Sequence, residues 1–160
     1  MNFDKITKNY SEYIAKNYEE RLHAGELLAE SARELIKMDM KNLDLDSKLQ
    51  RNFFMRKIAG DLIRQAENMG HTKRYDIDPI VKDYTYLAFD LAYNYCESKP
   101  SRNLIPFLTR VIYYERFNDN KDYSKKLKKI YKKCVELEKE YLDKMINDEN
   151  SIFRGDIWGF

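Results

Sequence analysis

Apolar side chains recur every three or four residues along most of the chain, which is the spacing of one face of an α-helix. The pattern predicts five long helices, at about 8–40, 47–69, 79–97, 101–114 and 121–147. Asp44 or Asp46, Asp78 and Ser101 stand where side chains cap helix N-termini, and Gly70 stands where a helix ends. No segment alternates apolar and polar residues like a strand. We therefore predict an all-α fold, an antiparallel bundle or array of about five long helices.

Composition places these helices in one domain. The chain has 160 residues, of which 43% are hydrophobic, and it contains 5 glycines and 3 prolines. A chain of this length buries about 70% of its unfolded surface, which is enough for a core without disulfides or metals. We predict a single helical domain over residues 1–150. An aromatic-rich tail over residues 151–160 follows, and we expect it to dock on a groove of this molecule or of a neighbour.

The sequence shows no feature of a membrane or exported protein. No stretch approaches the roughly 18 consecutive apolar residues of a membrane span, and the first residues open no signal segment. We therefore expect a cytoplasmic protein with no membrane partner. A four-ligand zinc site would need Cys96 and Cys134 together with both histidines, His23 and His71. We expect no metal, no cofactor, and two buried free thiols.

A basic cluster on the second predicted helix and the loop after it suggests an anion site. Arg56, Gly60 and Arg64 are spaced four and four, so both guanidinium groups lie on one side of the helix with a glycine between them. The predicted anion-binding residues are Arg56, Lys57, Gly60, Arg64, Lys73 and Arg74. The alternative is that Asp61 and Glu67 form ordinary surface ion pairs with the arginines, and that Gly60 eases a helix crossing.

The fifth predicted helix begins with a lysine-rich segment. Seven lysines and one acidic residue give residues 121–133 a net charge of +6. Such a segment suits the phosphates of a nucleic acid, or else it is a solvated face that keeps the protein in solution. The residues predicted to bind nucleic acid are Lys125, Lys126, Lys128, Lys129, Lys132 and Lys133.

Arg64 and His71 form a third candidate constellation. The six residues between them loosely resemble the Arg–His signature of HEPN-type ribonucleases. That resemblance implies His71 as general base and Arg64 as the group that stabilises an RNA phosphate. Gly70, however, is predicted to end the helix that would orient the pair. A nuclease is therefore a hypothesis of its own, and we otherwise assign no catalytic residue.

The order of helices and two short motifs resemble a known family. Residues 57–64, Lys-Ile-Ala-Gly-Asp-Leu-Ile-Arg, are similar to the K-x-x-G-D-x-x-R segment of 14-3-3 proteins. Tyr113, Tyr114 and Glu115 match the Y-Y-E that ends a later helix of that family. The resemblance covers the C-terminal two-thirds of a 14-3-3 protein.

The 14-3-3 resemblance implies an all-helical, groove-bearing adaptor that binds phosphorylated or acidic peptides. Arg64 stands at the position of a phosphate-binding arginine of the family. The chain departs from the family at Gln65, where a tyrosine is expected, and at Leu108, where an asparagine is expected. The N-terminal helices that supply dimer contacts and further basic ligands in the family have no counterpart.

These observations favour a non-enzymatic adaptor over an enzyme. We predict that a groove lined by the second and fourth helices binds a protein or peptide partner, with Arg56 and Arg64 attracting an anionic group. Nucleic-acid binding through the lysine-rich helix is the alternative. Self-association into a homodimer stays open, because a sequence does not separate core faces from interface faces.

Overall fold

The computed structural model describes residues 3–70, 79–97, 99–117 and 121–147, which form helices and no strand. The α-helices are α1 (Asp4–Ala15), α2 (Tyr18–Arg21), α3 (Gly25–Lys37), α4 (Leu45–Gly70), α5 (Pro79–Glu97), α6 (Ile105–Tyr113) and α7 (Lys121–Asn147). Three-residue or four-residue 3-10 turns cover Met40–Asn42, Arg102–Leu104 and Tyr114–Phe117. The predicted all-α class is confirmed. The sequence predicts five long helices, whereas the described residues form seven.

The segment predicted as one helix over 8–40 is divided among three helices, and Asn17 starts the second of them. The backbone is extended at Lys16 and at Asn17. The Asn17 side chain accepts a hydrogen bond from the Glu20 N–H at 2.9 Å, and the Glu20 carboxylate accepts one from the Asn17 N–H at 3.1 Å. This capping box satisfies donors that a new helix leaves unpaired. Periodicity missed the break because the apolar spacing continues across it.

The other predicted helices agree with the structure within a few residues. α4, α5 and α7 occupy the predicted segments, and the fourth predicted helix begins as a 3-10 turn. The Ser101 hydroxyl accepts a hydrogen bond from the Asn103 N–H at 3.2 Å, which confirms Ser101 as an N-cap. Asp44 accepts one from the Ser47 N–H at 2.8 Å, and this bond lowers the pKa of Asp44.

α6 runs in the same direction as α4, with which it shares contacts at both of its ends. Near its start, the Arg56 guanidinium of α4 lies 3.9 Å from the centroid of the Phe107 ring. Just beyond its end, Tyr114 forms a hydrogen bond with Glu67, three turns further along α4.

α7 runs opposite to α6. The Arg102 guanidinium, just before α6, lies 3.7 Å from the centroid of the Tyr141 ring in the second half of α7. Glu115, just after α6, forms an ion pair of 2.9 Å with Lys128 in the first half. Tyr95, near the end of α5, stacks edge-on against the start of α6. The N-termini of α4 and α6 and the C-termini of α5 and α7 therefore lie at one end of the molecule.

One cluster of buried apolar side chains is shared by six of the seven helices. Its largest members have almost no exposed surface and include Ile6, Leu28, Leu35, Met55, Ile58, Leu62, Ile63, Phe89, Leu91, Leu108 and Leu127. Among the residues described, no helix has the length and apolar character needed to cross a bilayer. Asp78 and the predicted tail, residues 151–160, lie outside the described residues.

Gly25 begins α3 at the point where this helix meets α5. A Cβ atom on residue 25 would lie 2.6 Å from Cε2 of Tyr84 and 2.7 Å from its hydroxyl oxygen. Tyr84 is buried, so its ring has little room to move aside. We expect Gly25→Ala to lower the free energy of unfolding by about 1–3 kcal/mol, as measured by urea denaturation, because the added methyl overpacks this contact.

Gly60→Ala is the matched control. A Cβ atom on residue 60 would meet only Arg56 Nη1, at 3.7 Å, which is an ordinary contact. Alanine also has the higher helix propensity, so we expect an unchanged stability or a gain of up to about 1 kcal/mol. Equal destabilisation by the two substitutions would contradict a close crossing specific to Gly25.

Candidate functional site

The structure gives the two arginines of the predicted anion site different neighbours. Arg56 stacks on Phe107 of α6, whereas Arg64 Nη1 lies 3.6 Å from Asp61 Oδ1. Eight residues separate the two positions, which on a helix amounts to about 12 Å along the axis and about 80° around it. The two guanidinium groups therefore contact different neighbouring side chains.

The remaining predicted anion-binding residues do not join Arg56 and Arg64 in one site. Gly60 is buried, so its backbone does not form a bare surface patch between the arginines. Its ordinary contacts also give no sign that a glycine is needed for a helix crossing. Lys57 is exposed. Lys73 and Arg74 lie outside the described residues, as does His71 of the nuclease hypothesis.

The fold instead brings a second arginine, Arg21, beside Arg64. Arg21 is the last residue of α2, and its Nη2 donates a hydrogen bond of 2.6 Å to the carbonyl oxygen of Ile14. The guanidinium carbon lies 5.7 Å from the centroid of the Tyr13 ring. The Arg21 Nε atom is buried and has no hydrogen-bond partner among the described residues. A buried guanidinium N–H without a partner leaves a strong donor available to a ligand.

Arg21 and Arg64 both line a small cleft between α1, α2 and α4. We call it the Arg21–Arg64 cleft, and its lining residues are Tyr13, Tyr18, Arg21, Leu22, Arg64, Gln65 and Asn68. Its volume of about 60 Å³ is the room that about two water molecules take up in the liquid. The cleft therefore suits a compact group that accepts hydrogen bonds from a guanidinium.

Gln65 holds the wall of this cleft in place. Its Nε2 donates one hydrogen bond to the Tyr13 hydroxyl at 3.2 Å and another to the Arg21 carbonyl oxygen at 2.5 Å. Gln65 and Tyr13 are both buried. The amide of Gln65 thus ties α2 to α4 and fixes the backbone that carries Arg21. Sequence reasoning noted Gln65 only as a departure from a family pattern.

Two tyrosines beside the cleft stay neutral and act as hydrogen-bonding groups. Tyr10 donates a hydrogen bond of 3.0 Å to Asp61 Oδ2, and burial together with the charge of Asp61 raises the pKa of Tyr10. Burial also raises the pKa of Tyr13, which Gln65 and Arg21 partly offset. Because Asp61 is the carboxylate nearest to Arg64, the two arginines and Asp61 leave one positive charge in excess at the cleft.

The predicted nucleic-acid residues lie on the solvent side of α7. Its buried residues, Ser124, Leu127 and Cys134, face the other helices. The six lysines are all exposed. Lys128 is paired with Glu115 at 2.9 Å, and the Lys126 ammonium lies between about 5 and 6 Å from two tyrosine ring centroids, those of Tyr93 and Tyr123. The other four, Lys125, Lys129, Lys132 and Lys133, extend from the helix into solvent.

A wider cleft between α1, α2 and α3 is rich in acidic side chains, unlike the Arg21–Arg64 cleft. Four glutamates contribute to its lining of Glu12, Lys16, Glu20, His23, Ala24, Glu26, Leu27 and Glu30. In the described ranges, no three His, Cys, Asp or Glu side chains are arranged to hold a metal ion.

The two cysteines are free and buried, and burial raises the pKa of the Cys96 thiol to about 12. Cys96 is therefore a poor nucleophile at neutral pH.

Comparison with known proteins finds no relative: no family model, curated protein or solved structure matches the chain. The 14-3-3 and HEPN resemblances therefore stay predictions from short motifs.

Removing the Gln65 amide tests whether it organises the cleft. We expect Gln65→Ala to lower the free energy of unfolding by about 1–3 kcal/mol, because it removes the two hydrogen bonds that the Gln65 amide donates to the buried Tyr13 hydroxyl and to the Arg21 carbonyl oxygen. Gln50→Ala, at an exposed position of the same helix, is the control and should change stability by less than about 0.5 kcal/mol. Chemical denaturation monitored by far-UV circular dichroism measures both. Similar losses in the two variants would show that Gln65 has no special role.

Proposed function

We propose that the protein is a non-enzymatic interaction module that binds an anionic segment of a protein partner. A phosphate or carboxylate of that segment enters the Arg21–Arg64 cleft. Two observations carry the proposal: the buried Nε of Arg21 has no partner among the described residues, and Arg21 lines the same cleft as Arg64. A guanidinium group donates paired hydrogen bonds to planar or tetrahedral oxyanions, which suits both kinds of ligand.

The charges around the cleft leave Arg64 able to bind a ligand. Its side chain is 54% exposed, and its contact with Asp61 is a long 3.6 Å. A pair with this long separation contributes little stability, and Asp61 keeps its hydrogen bond from Tyr10 when an incoming anion replaces it at Arg64. Arg21 is held at its other end by the Ile14 carbonyl oxygen, so it offers a guanidinium group that is already oriented.

The 14-3-3 resemblance supports the same proposal through one residue. Arg64 stands at the position of a phosphate-binding arginine of that family. The second arginine in our proposal is Arg21, and Arg56 stacks on Phe107. The interaction module is further proposed to be a cytoplasmic protein with one helical domain over residues 1–150, to need no cofactor, and to be able to form a homodimer.

A degenerate phosphoserine peptide pool tests the proposal, with the same pool after dephosphorylation as the reference. We expect phosphorylation to strengthen binding by about 10-fold or more, because charge-assisted hydrogen bonds contribute about 1.5–3 kcal/mol. Arg64→Gln and Arg21→Gln should each remove most of this difference. Fluorescence polarisation measures the affinities.

Lys57→Gln is the matched control, because it removes one positive charge from an exposed site of α4 outside the cleft. We expect it to keep the preference for phosphorylated peptides. If all three substitutions weaken binding equally, the attraction is a general effect of charge and the cleft is not the site. If phosphorylation makes no difference to wild type, an anion-binding role is contradicted.

The lysine-rich face of α7 supports a second candidate function, the binding of nucleic acid. Its six lysines are all exposed, and four of them, Lys125, Lys129, Lys132 and Lys133, extend into solvent. Binding to RNA or DNA through them would weaken steeply as salt rises, with a slope that decreases when lysines are replaced. A combined replacement of Lys125, Lys129, Lys132 and Lys133 by Gln, measured across salt concentrations, tests this. Salt-independent or absent binding would exclude it.

A further inference from the structure

Exposed large apolar side chains are concentrated on the first turns of α4 and on the second half of α7. Among the described residues, thirteen large apolar side chains are exposed, and eight of them belong to the first turns of α4 or the second half of α7. These eight have between 37% and 72% of their surface exposed and are Leu45, Leu49, Phe53, Val135, Leu137, Tyr141, Leu142 and Ile146. We call them the uncovered end face.

On α4, the uncovered residues continue a face that is covered further along the helix. Leu49 precedes Arg56 by seven residues, which places both on the same side of the helix. Arg56 lies against Phe107 near the start of α6. Because α6 begins there and runs away from the N-terminus of α4, the preceding two turns of α4 have no part of α6 against them.

On α7, the stripe of core-facing residues also continues beyond the part of the helix that other elements cover. Leu127 and Cys134 are fully buried, whereas Tyr141, seven residues further on, is 40% exposed. Tyr141 lies under the Arg102 guanidinium, which belongs to the turn just before α6. The residues of α7 beyond Tyr141 therefore extend past the start of α6, with Leu142 and Ile146 exposed.

Both uncovered stretches lie at the same end of the molecule. The N-terminal parts of α4 and α6 and the C-terminal part of α7 meet there through Arg56, Phe107, Arg102 and Tyr141. Exposed apolar side chains of α4 and of α7 therefore both lie near the start of α6. An exposed apolar face of several large side chains indicates a site that another segment covers.

We propose that residues 148–160 of the same chain cover the uncovered end face. This segment follows α7 directly, so it starts at this end of the molecule. It carries five large apolar side chains, Ile152, Phe153, Ile157, Trp158 and Phe160. These apolar side chains suit the apolar uncovered end face. The proposal does not depend on the Arg21–Arg64 cleft.

The length of the segment is sufficient for this docking. Its thirteen residues span up to about 43 Å when extended. The exposed part of α7, from Val135 to Asn147, is only about 18 Å long, and the exposed part of α4 is about 12 Å long. The nine residues after the polar start, 152–160, span up to about 30 Å, which is enough to run back along the exposed part of α7 and reach past the start of α6 toward α4.

The single tryptophan of the chain, Trp158, makes the proposal directly measurable. We expect the tryptophan emission of the full-length protein to be blue-shifted and protected from acrylamide quenching. The double variant Leu49→Ser/Leu142→Ser should shift the emission to the red and raise the quenching constant several-fold. Both replaced side chains are exposed, so helical content measured by circular dichroism should remain unchanged.

Ile80→Ser is the control, since Ile80 is an exposed apolar residue of the first turn of α5, at the opposite end of the molecule. It should leave the emission unchanged. A solvent-exposed Trp158 in wild type, or an emission that the double variant does not move, would overturn the proposal. An emission that shifts on dilution of wild type would place the segment on a second copy instead, and it would also overturn docking within one chain.

Discussion

The packing of α4 against α5 is the contact on which the other helices depend. The two helices share the most extensive helix–helix contact of the described residues, and both carry fully buried alanines, Ala59 and Ala66 on α4 and Ala88 and Ala92 on α5. The other sides of α4 contact further helices. α3 and α6 also pack against α4, and Tyr10 and Tyr13 of α1 contact it through Asp61 and Gln65. The Arg21–Arg64 cleft and the uncovered end face therefore both include residues of α4.

The two ends of α4 have different neighbours, and this difference separates the two proposals. Near its C-terminal end, Gln65 holds α2 in place and so brings Arg21 next to Arg64. Near its N-terminal end, α4 extends past α6 and leaves apolar residues uncovered. The cleft near the C-terminal end favours a charged ligand, whereas the exposed side chains near the N-terminal end favour an apolar segment. A partner peptide at the cleft and the chain's own segment at the end face therefore need not compete.

Helix class and most helix boundaries follow from the sequence, because apolar spacing and caps such as Ser101 act locally. The break at Asn17 was missed because a capping box depends on one side-chain pair and leaves the apolar period intact. Spacing on α4 placed Arg56 and Arg64 on one side of the helix but could not show that Phe107 would engage Arg56. Arg21 lies 43 residues before Arg64 in sequence, and only the tertiary contact through Gln65 reveals it.

The most direct measurement for the central claim is the nuclear magnetic resonance spectrum of the arginine side-chain Nε–H groups during titration with a phosphoserine peptide. Each arginine gives its own signal, so the binding site is identified without any substitution. Our account predicts that the Arg21 and Arg64 signals shift together and saturably, while the Arg56 signal stays in place. Unmoved Arg21 and Arg64 signals, with shifts confined to the backbone amides of the lysine-rich part of α7, would contradict it.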